Sequence, residues 1–406
     1  MNVIFIEPCF PNNQREFARA LHAAGANVIG IGERPKDYLD HEMRHWLTEY
    51  VQIRSVVDEG ALLEAVRAVQ KLVWVDRLEA TVEAHVGAAA AVREKTGIPG
   101  TSVRTAYLCR DKPAMKEALR KAGIPCAQST RATSAQDARD FAGAVGYPII
   151  IKPTAGAGAA GTYKVRSDAE LEAAVRASGL AAGHEAAIEE FIEGHEGYLD
   201  TLTVNGEVAH EFITHYYPNV LVAMRERWIS PQMVTTNRIE APGYAEVRQM
   251  ARDVIRALDI GTSATHMEWF FGPKGLKFSE IGCRPPGVGQ WDVYCAANEF
   301  DLYYEWACAV TRGHAPGRPS RRYAAGMIAL RPERDGRITG YSGVDLINHK
   351  YGDCIVAAHL PNPGTPTQPV DAGYMANAWL RVRHPDYDTL RRILDEIGET
   401  IHVHAG

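Results

Sequence analysis

The sequence predicts a multidomain protein of mixed class, α/β at its N-terminus and α+β beyond it. Three observations carry this. The chain has 406 residues, more than one ordinary domain of roughly 100–200 residues holds. Its first hundred residues alternate short apolar runs with segments of helical spacing, the pattern of a parallel sheet with helices on both faces. Further along, apolar runs come as adjacent pairs separated by turn residues, as in antiparallel hairpins. Hydrophobic residues make up 46% and charged residues 23%, which excludes a disordered chain. Lys plus Arg number 44 against 50 Asp plus Glu, so no basic surplus points to nucleic acid or an acidic membrane. The seven cysteines are scattered without a C-x-x-C, which argues against a disulfide framework or zinc ribbon and fits a reducing cytoplasm. No apolar run approaches the roughly 18 residues of a membrane span.

The elements follow in order. Val3–Ile6 reads as a first strand rather than a signal segment, and Gln14–Ala24 as a helix stopped by Gly25. Strands are expected at Asn27–Gly32, Tyr50–Ile53 and Leu72–Val75, and helices at Ala61–Val69 and Gly87–Lys95. No glycine fingerprint follows the first strand, so dinucleotide binding there has little support. Asp111 is a candidate N-cap with Pro113 early in the helix it opens, which runs to Gly123. Pro148–Pro153, Tyr163–Val165 and Ala187–Ile192 read as strands, with a helix over Asp168–Ser178. Strands are expected at Tyr198–Val204, Val208–Ile213, His266–Phe271 and Leu276–Ile281, with a helix over Tyr244–Leu258. Gly313–Pro319 reads as a connector and Tyr387–Glu399 as a terminal helix.

Gly156-Ala-Gly158-Ala-Ala-Gly161 satisfies G-x-G-x-x-G, but a strand-like Thr162-Tyr-Lys-Val-Arg166 follows instead of a helix. No Lys-Ser/Thr follows either, which excludes a Walker loop. A hairpin loop of small residues remains. Its backbone amides can close over phosphates, with Lys152 as a fixed charge, or it is simply a mobile surface loop.

The strongest local signal runs from Thr265 to Arg284. A three-residue loop, Pro273-Lys274-Gly275, pairs Gly272 with Leu276 and, counting outward, Glu268 with Glu280. Opposed like charges destabilise a ladder unless a divalent cation sits between them, and oxygen ligands select Mg²⁺ or Mn²⁺. A two-residue loop would put the glutamates on opposite faces and remove this argument. The alternative is one solvated glutamate and one paired with Arg284 or Lys277. His266 shares the face of Glu268, where it orients that carboxylate, touches substrate or packs. Trp269 and Phe271 fall on the other face as core. Arg225 or Arg227 is a candidate carboxylate holder. Cys283 reads as a small buried residue rather than a nucleophile, and His402 and His404 as a frayed tail rather than a metal site.

In this order the motifs resemble the ATP-grasp superfamily, most of all its carboxylate–amine ligase and biotin-carboxylase-like branch. The resemblance implies an ATP-grasp fold behind an N-terminal Rossmann-like domain. It divides the chain into that domain (1–107), a lid (108–194), a metal-bearing core (195–315) and a C-terminal α+β extension (316–406). It implies ATP and Mg²⁺ or Mn²⁺. Lys112 and Lys152 match the family's phosphate lysines, and Gly156, Gly158 and Gly161 the loop over the phosphates. Glu189, Glu190 and Ile192 match the hinge at the adenine, and Glu196 the acid at the ribose. Glu268 and Glu280 match the metal ligands, and Arg284 the arginine beside the transferring phosphoryl group. Lys152 and Arg284 are thus the catalytic candidates. Many members read Glu-x-Asn-x-Arg, but here Gly282 replaces the asparagine and supplies no ligand. The implied activity is ATP-dependent coupling of a small carboxylate to an amine, with an amino acid or small peptide as default substrate. Carboxylation through carboxyphosphate and non-catalytic ATP binding are the alternatives. No nucleic acid or membrane partner is implied, and a homodimer is the default assembly.

Overall fold

The computed structural model describes residues 1–155 and 161–406. Strands β1 (Asn2–Ile6), β2 (Asn27–Gly32), β3 (Glu49–Gln52) and β4 (Arg77–Glu79) form a parallel sheet in the order β3-β2-β1-β4. Alternation splits β1 between two faces. Val3 and Phe5 pack toward the helix Gln14–Ala23, while Ile4 and Ile6 pack toward the helices Glu59–Gln70 and Val86–Thr96. Gly97 closes the last of these in a left-handed conformation (φ 68°). The strand expected at Leu72–Val75 is instead a turn, with Leu72 and Trp74 exposed at 85% and 79%. The ladder to β1 begins two residues later at Arg77, where Leu78 is buried.

A second sheet is small and antiparallel. It contains β5 (Ser129–Ala132), β6 (Ile149–Lys152), β7 (Tyr163–Val165) and β8 (Ala186–Glu190) in the order β5-β8-β6-β7. Ile149, Ile151 and Ile188 pack against the helices Ala135–Val145 and Asp168–Ala177. The glycine-rich stretch falls between β6 and β7 in sequence, and its Gly156 and Gly158 lie outside the described residues.

The third sheet is the largest. It joins β9 (His195–Val204), β10 (Glu207–Tyr217), β11 (Gln232–Thr235), β12 (Ser263–Gly272) and β13 (Gly275–Gly282) to β14 (Ala324–Leu330). The strands β15 (Ile338–Ser342) and β18 (His402–Ala405) pair separately, while β16 (Ile355–His359) and β17 (Ala378–His384) complete the large sheet. Its order is β13-β12-β9-β10-β11-β14-β17-β16. Residues after 316 therefore continue the same sheet that begins at His195. The helix Ala245–Ala257 packs on one face, and Gln290–Asn298 with Leu302–Arg312 on the other. The end of the chain is not frayed: Val403 is buried and His404 Nε2 lies 3.0 Å from Ser342 Oγ. Trp269 is core as expected, but Phe271, next to the hairpin turn, is 55% exposed.

Candidate active site

A cleft of about 610 Å³ lies between the small sheet and the large one. Lys112, Lys152, Glu189, Glu190, Ile192, Glu196, Glu268, Glu280 and Arg284 all line it, although they are spread over 173 positions of sequence. Gly161 (φ 65°) ends the glycine stretch next to Thr162, which also lines the cleft.

The helix Lys112–Lys121 starts where Asp111 accepts from Ala114 N at 2.9 Å. Arg131 fixes that carboxylate with two bonds of 2.6 Å. Lys112 therefore projects from a capped helix end, and its Nζ lies 3.2 Å from Glu280 Oε2. Lys152, at the end of β6, reaches Glu189 Oε2 at 2.9 Å and Glu280 Oε2 at 4.0 Å. A third cation, Lys116, is 2.5 Å from Glu189 Oε2. Burial acts to raise the Glu189 pKa, but the two ammonium groups outweigh it and hold the carboxyl down at about 2. Burial pulls Lys116 down to about 8 against the pull of Glu189. Glu189 Oε1 is buried and has no hydrogen-bond partner among the described residues. At the hinge, Glu190 N donates to Gln128 O (3.0 Å) and Phe191 N to Pro148 O (3.1 Å).

The β12–β13 hairpin corrects the route to the paired glutamates. Its turn has two residues, because Gly272 pairs with Gly275 and Phe271 with Leu276. The three-residue loop is absent, and with that turn alone Glu280 would face away from Glu268. A bulge restores the register: Trp269 pairs with Phe278, Glu268 with Glu280, and Ser279 is the extra residue. The two carboxylates end up directly opposed, through a feature the alternation did not reveal.

Glu268 is held from behind. His266 Nε2 lies 3.5 Å from its Oε1, and His266 Nδ1 lies 2.7 Å from the buried Asp200, whose other oxygen accepts from Tyr294. Burial acts to lower the His266 pKa, but Asp200 and then Glu268 outweigh it and raise it to about 9. Tyr216 Oη lies 3.5 Å from Glu268 Oε1. Glu196, buried beside this pair, accepts from Val220 N at 2.7 Å. Burial, then repulsion from Glu268, pushes its carboxyl up to about 8. Arg284 is held by Glu83 of the N-terminal domain (Nε to Oε2, 2.8 Å) and by the Pro285 carbonyl. A Cβ at Gly282 would lie 3.3 Å from that Glu83 oxygen, so the glycine leaves the space into which Glu83 reaches.

Of the other candidates, Arg225, in the turn after the helix Val220–Ala223, lines the cleft and donates to Thr162 O at 2.9 Å. Arg227 pairs with Asp335 instead. Cys283 is buried. Sequence reasoning missed Lys116, Glu83, Asp200 and Tyr294. Lys116 had a signal, its position one helical turn after Lys112. Glu83, Asp200 and Tyr294 had none, since only the fold brings them near their partners.

The residues fit a nucleotide with a divalent cation. Two opposed carboxylates give a hard oxygen pair, and Lys112 lies within 3.2 Å of one of them. No cluster of three or more His, Cys, Asp or Glu groups with metal-site geometry occurs among the described residues. A pair alone suits Mg²⁺, which keeps waters and takes phosphate oxygens rather than a full protein cage.

Residues 111–284 match the family model described as "Carbamoyl-phosphate synthase L chain, ATP binding domain". That segment begins at the helix cap below Lys112 and ends at Arg284. Residues 111–284 are thus similar to an ATP-grasp ATP-binding domain. An L-arginine-specific L-amino acid ligase of Bacillus subtilis is 28% identical over 251 residues, 60% of this chain and 60% of that one. The chain thus spans about three fifths of that relative's length. The L-amino acid ligase from Bacillus licheniformis superposes with a TM-score of 0.78 at 17% identity, over 100% of this chain and 98% of that one. N5-carboxyaminoimidazole ribonucleotide synthetase from Thermotoga maritima gives 0.72 at 16%, over 100% and 99%. These likenesses extend the ATP-grasp architecture over the entire chain. No described helix is long and apolar enough to cross a membrane.

Proposed function

We propose that the protein is an ADP-forming ligase that activates a small carboxylate with ATP and couples it to an amine, with an amino acid or small peptide as substrate. The observation that carries this is the opposition of Glu268 and Glu280 in a cleft that also receives Lys112, Lys152 and Arg284. The amino acid ligases among the relatives support the substrate class.

In this reading an oxygen of the substrate carboxylate attacks the γ-phosphorus of ATP, the bond to the β–γ bridging oxygen breaks, and ADP leaves. The amine then attacks the acyl carbon, phosphate departs and the nitrogen loses a proton. Phosphoryl transfer needs positioning and charge stabilisation more than covalent help. Lys112 and Lys152 hold the phosphates, and Arg284, fixed by Glu83, faces the charge that develops on the acceptor. Glu268 and Glu280 would hold Mg²⁺ or Mn²⁺, which supplies further charge neutralisation when bound. Glu196 serves the ribose and the hinge at Glu189, Glu190 and Ile192 the adenine. The four-part division at 107/108, 194/195 and 315/316 belongs to this reading, as do a cytoplasmic location and a homodimer.

The test is ADP and phosphate release across pairs of amino acids and other carboxylates and amines. Substrate-dependent release should appear with the wild type and vanish in Glu280→Ala. Retained turnover in that variant would remove Glu280 from the site.

A further inference from the structure

We infer that Lys116 is a positioning residue that keeps Glu189 paired, and so lets Lys152 leave that carboxylate for the phosphates of a bound nucleotide. The inference rests on the ATP reading of the cleft.

Five side chains form one line of alternating charge: Lys116, Glu189, Lys152, Glu280, Lys112. A single oxygen, Glu189 Oε2, takes Lys116 Nζ at 2.5 Å and Lys152 Nζ at 2.9 Å. Likewise Glu280 Oε2 takes Lys112 Nζ at 3.2 Å and Lys152 Nζ at 4.0 Å. Lys152 is the middle member, and each of its two carboxylates has a second lysine. It can therefore turn away and leave each carboxylate its other lysine. Glu189 is 5% exposed and Lys116 1%. A carboxylate so buried cannot lose its last cation without a large penalty. Without Lys116, Glu189 has only Lys152 within salt-bridge distance among the described residues, and every phosphate contact made by Lys152 would compete with that pair. The helix enforces the arrangement: Lys112 and Lys116 stand four residues apart on one face, so one reaches Glu280 while the other reaches Glu189.

The experiment measures ADP binding to the full chain by titration calorimetry, together with KM for ATP and kcat. Lys116→Met should weaken ADP binding about tenfold or more. KM for ATP should rise in step, with kcat at saturating ATP changed less. Lys116→Arg, which keeps the charge, should stay within about threefold of wild type. Wild-type affinity in Lys116→Met would overturn the inference. So would a Lys116→Met variant that melts like the wild type and loses kcat at saturating ATP with KM for ATP unchanged, because Lys116 would then act on the chemistry and not through Lys152. Failure of the wild type to bind ADP would overturn the ATP reading itself, and this inference with it.

Discussion

Gly282→Asn places the asparagine that the family resemblance implies at a position where this chain has built something else. The new Cβ would stand 3.3 Å from Glu83 Oε2 and 3.6 Å from Cγ and Nε of Arg284. A Cβ that close is tighter than most such contacts, so the Glu83 carboxylate must give by a few tenths of an ångström. Its bond to Arg284 is 2.8 Å long, between side chains 23% and 13% exposed. A hydrogen bond to a charged group at such a site contributes about 1.5–3 kcal/mol. If that energy keeps Arg284 aimed at the reacting group, its loss corresponds to about 10- to 150-fold in kcat/KM. The assay is ADP formation at saturating ATP with the best carboxylate–amine pair, alongside ADP binding. Activity should fall by that factor while ADP binding stays unchanged, because the three lysines are untouched. Glu83→Gln should lose activity in the same direction. Full or raised activity in Gly282→Asn, above all with tighter Mg²⁺ dependence, would refute the reasoning and make position 282 a vacant ligand slot.

Asp200→Asn removes the charge that lifts the His266 pKa to about 9, above the ordinary value of 6.5. The folded value is the higher one, so this pair's contribution to stability is complete below pH 6.5 and is lost as pH rises through 9. Urea unfolding of the wild type should show that decline between the two pH values. The variant should be less stable by about 3 kcal/mol or more at pH 6.5, with a flatter profile. Arg225→Ala cuts the bond to Thr162 O, which joins the β10–β11 connection to the residue just before β7. Because this bond is exposed, KM for ATP should rise only about threefold with kcat unchanged.

The fold was legible wherever one periodicity dominated. β1, β2 and the helix Gln14–Ala23 fall where alternation and helical spacing put them. Leu72–Val75 misled because an apolar run looks the same whether the chain buries it or turns through it. The candidate site was legible through residue types in order, and its lysines, glutamates and arginine do converge on one cleft. The turn of the β12–β13 hairpin shows the limit of counting. Glycine chemistry suggested a three-residue loop, whereas a two-residue turn and a bulge at Ser279 produce the same pairing of Glu268 with Glu280. A bulge leaves no mark in an alternation pattern one residue long. Glu83 and Asp200 were invisible for another reason. An acidic residue declares its role only through its partner, and these partners lie 201 and 66 positions away.

The place of β14 in the large sheet has a consequence for synthesis on the ribosome. Strand β11 pairs with β10 on one side and with β14 on the other, Met233 opposite Met327. β11 emerges long before β14, and until then it shows an unpaired edge with buried-type residues such as Met233 and Val234. The nascent chain must carry this sticky edge while roughly ninety further residues are translated, several seconds at ordinary elongation rates. Chaperone demand during that interval, rather than the stability of the finished protein, is where slow codons or truncations between β11 and β14 would be felt.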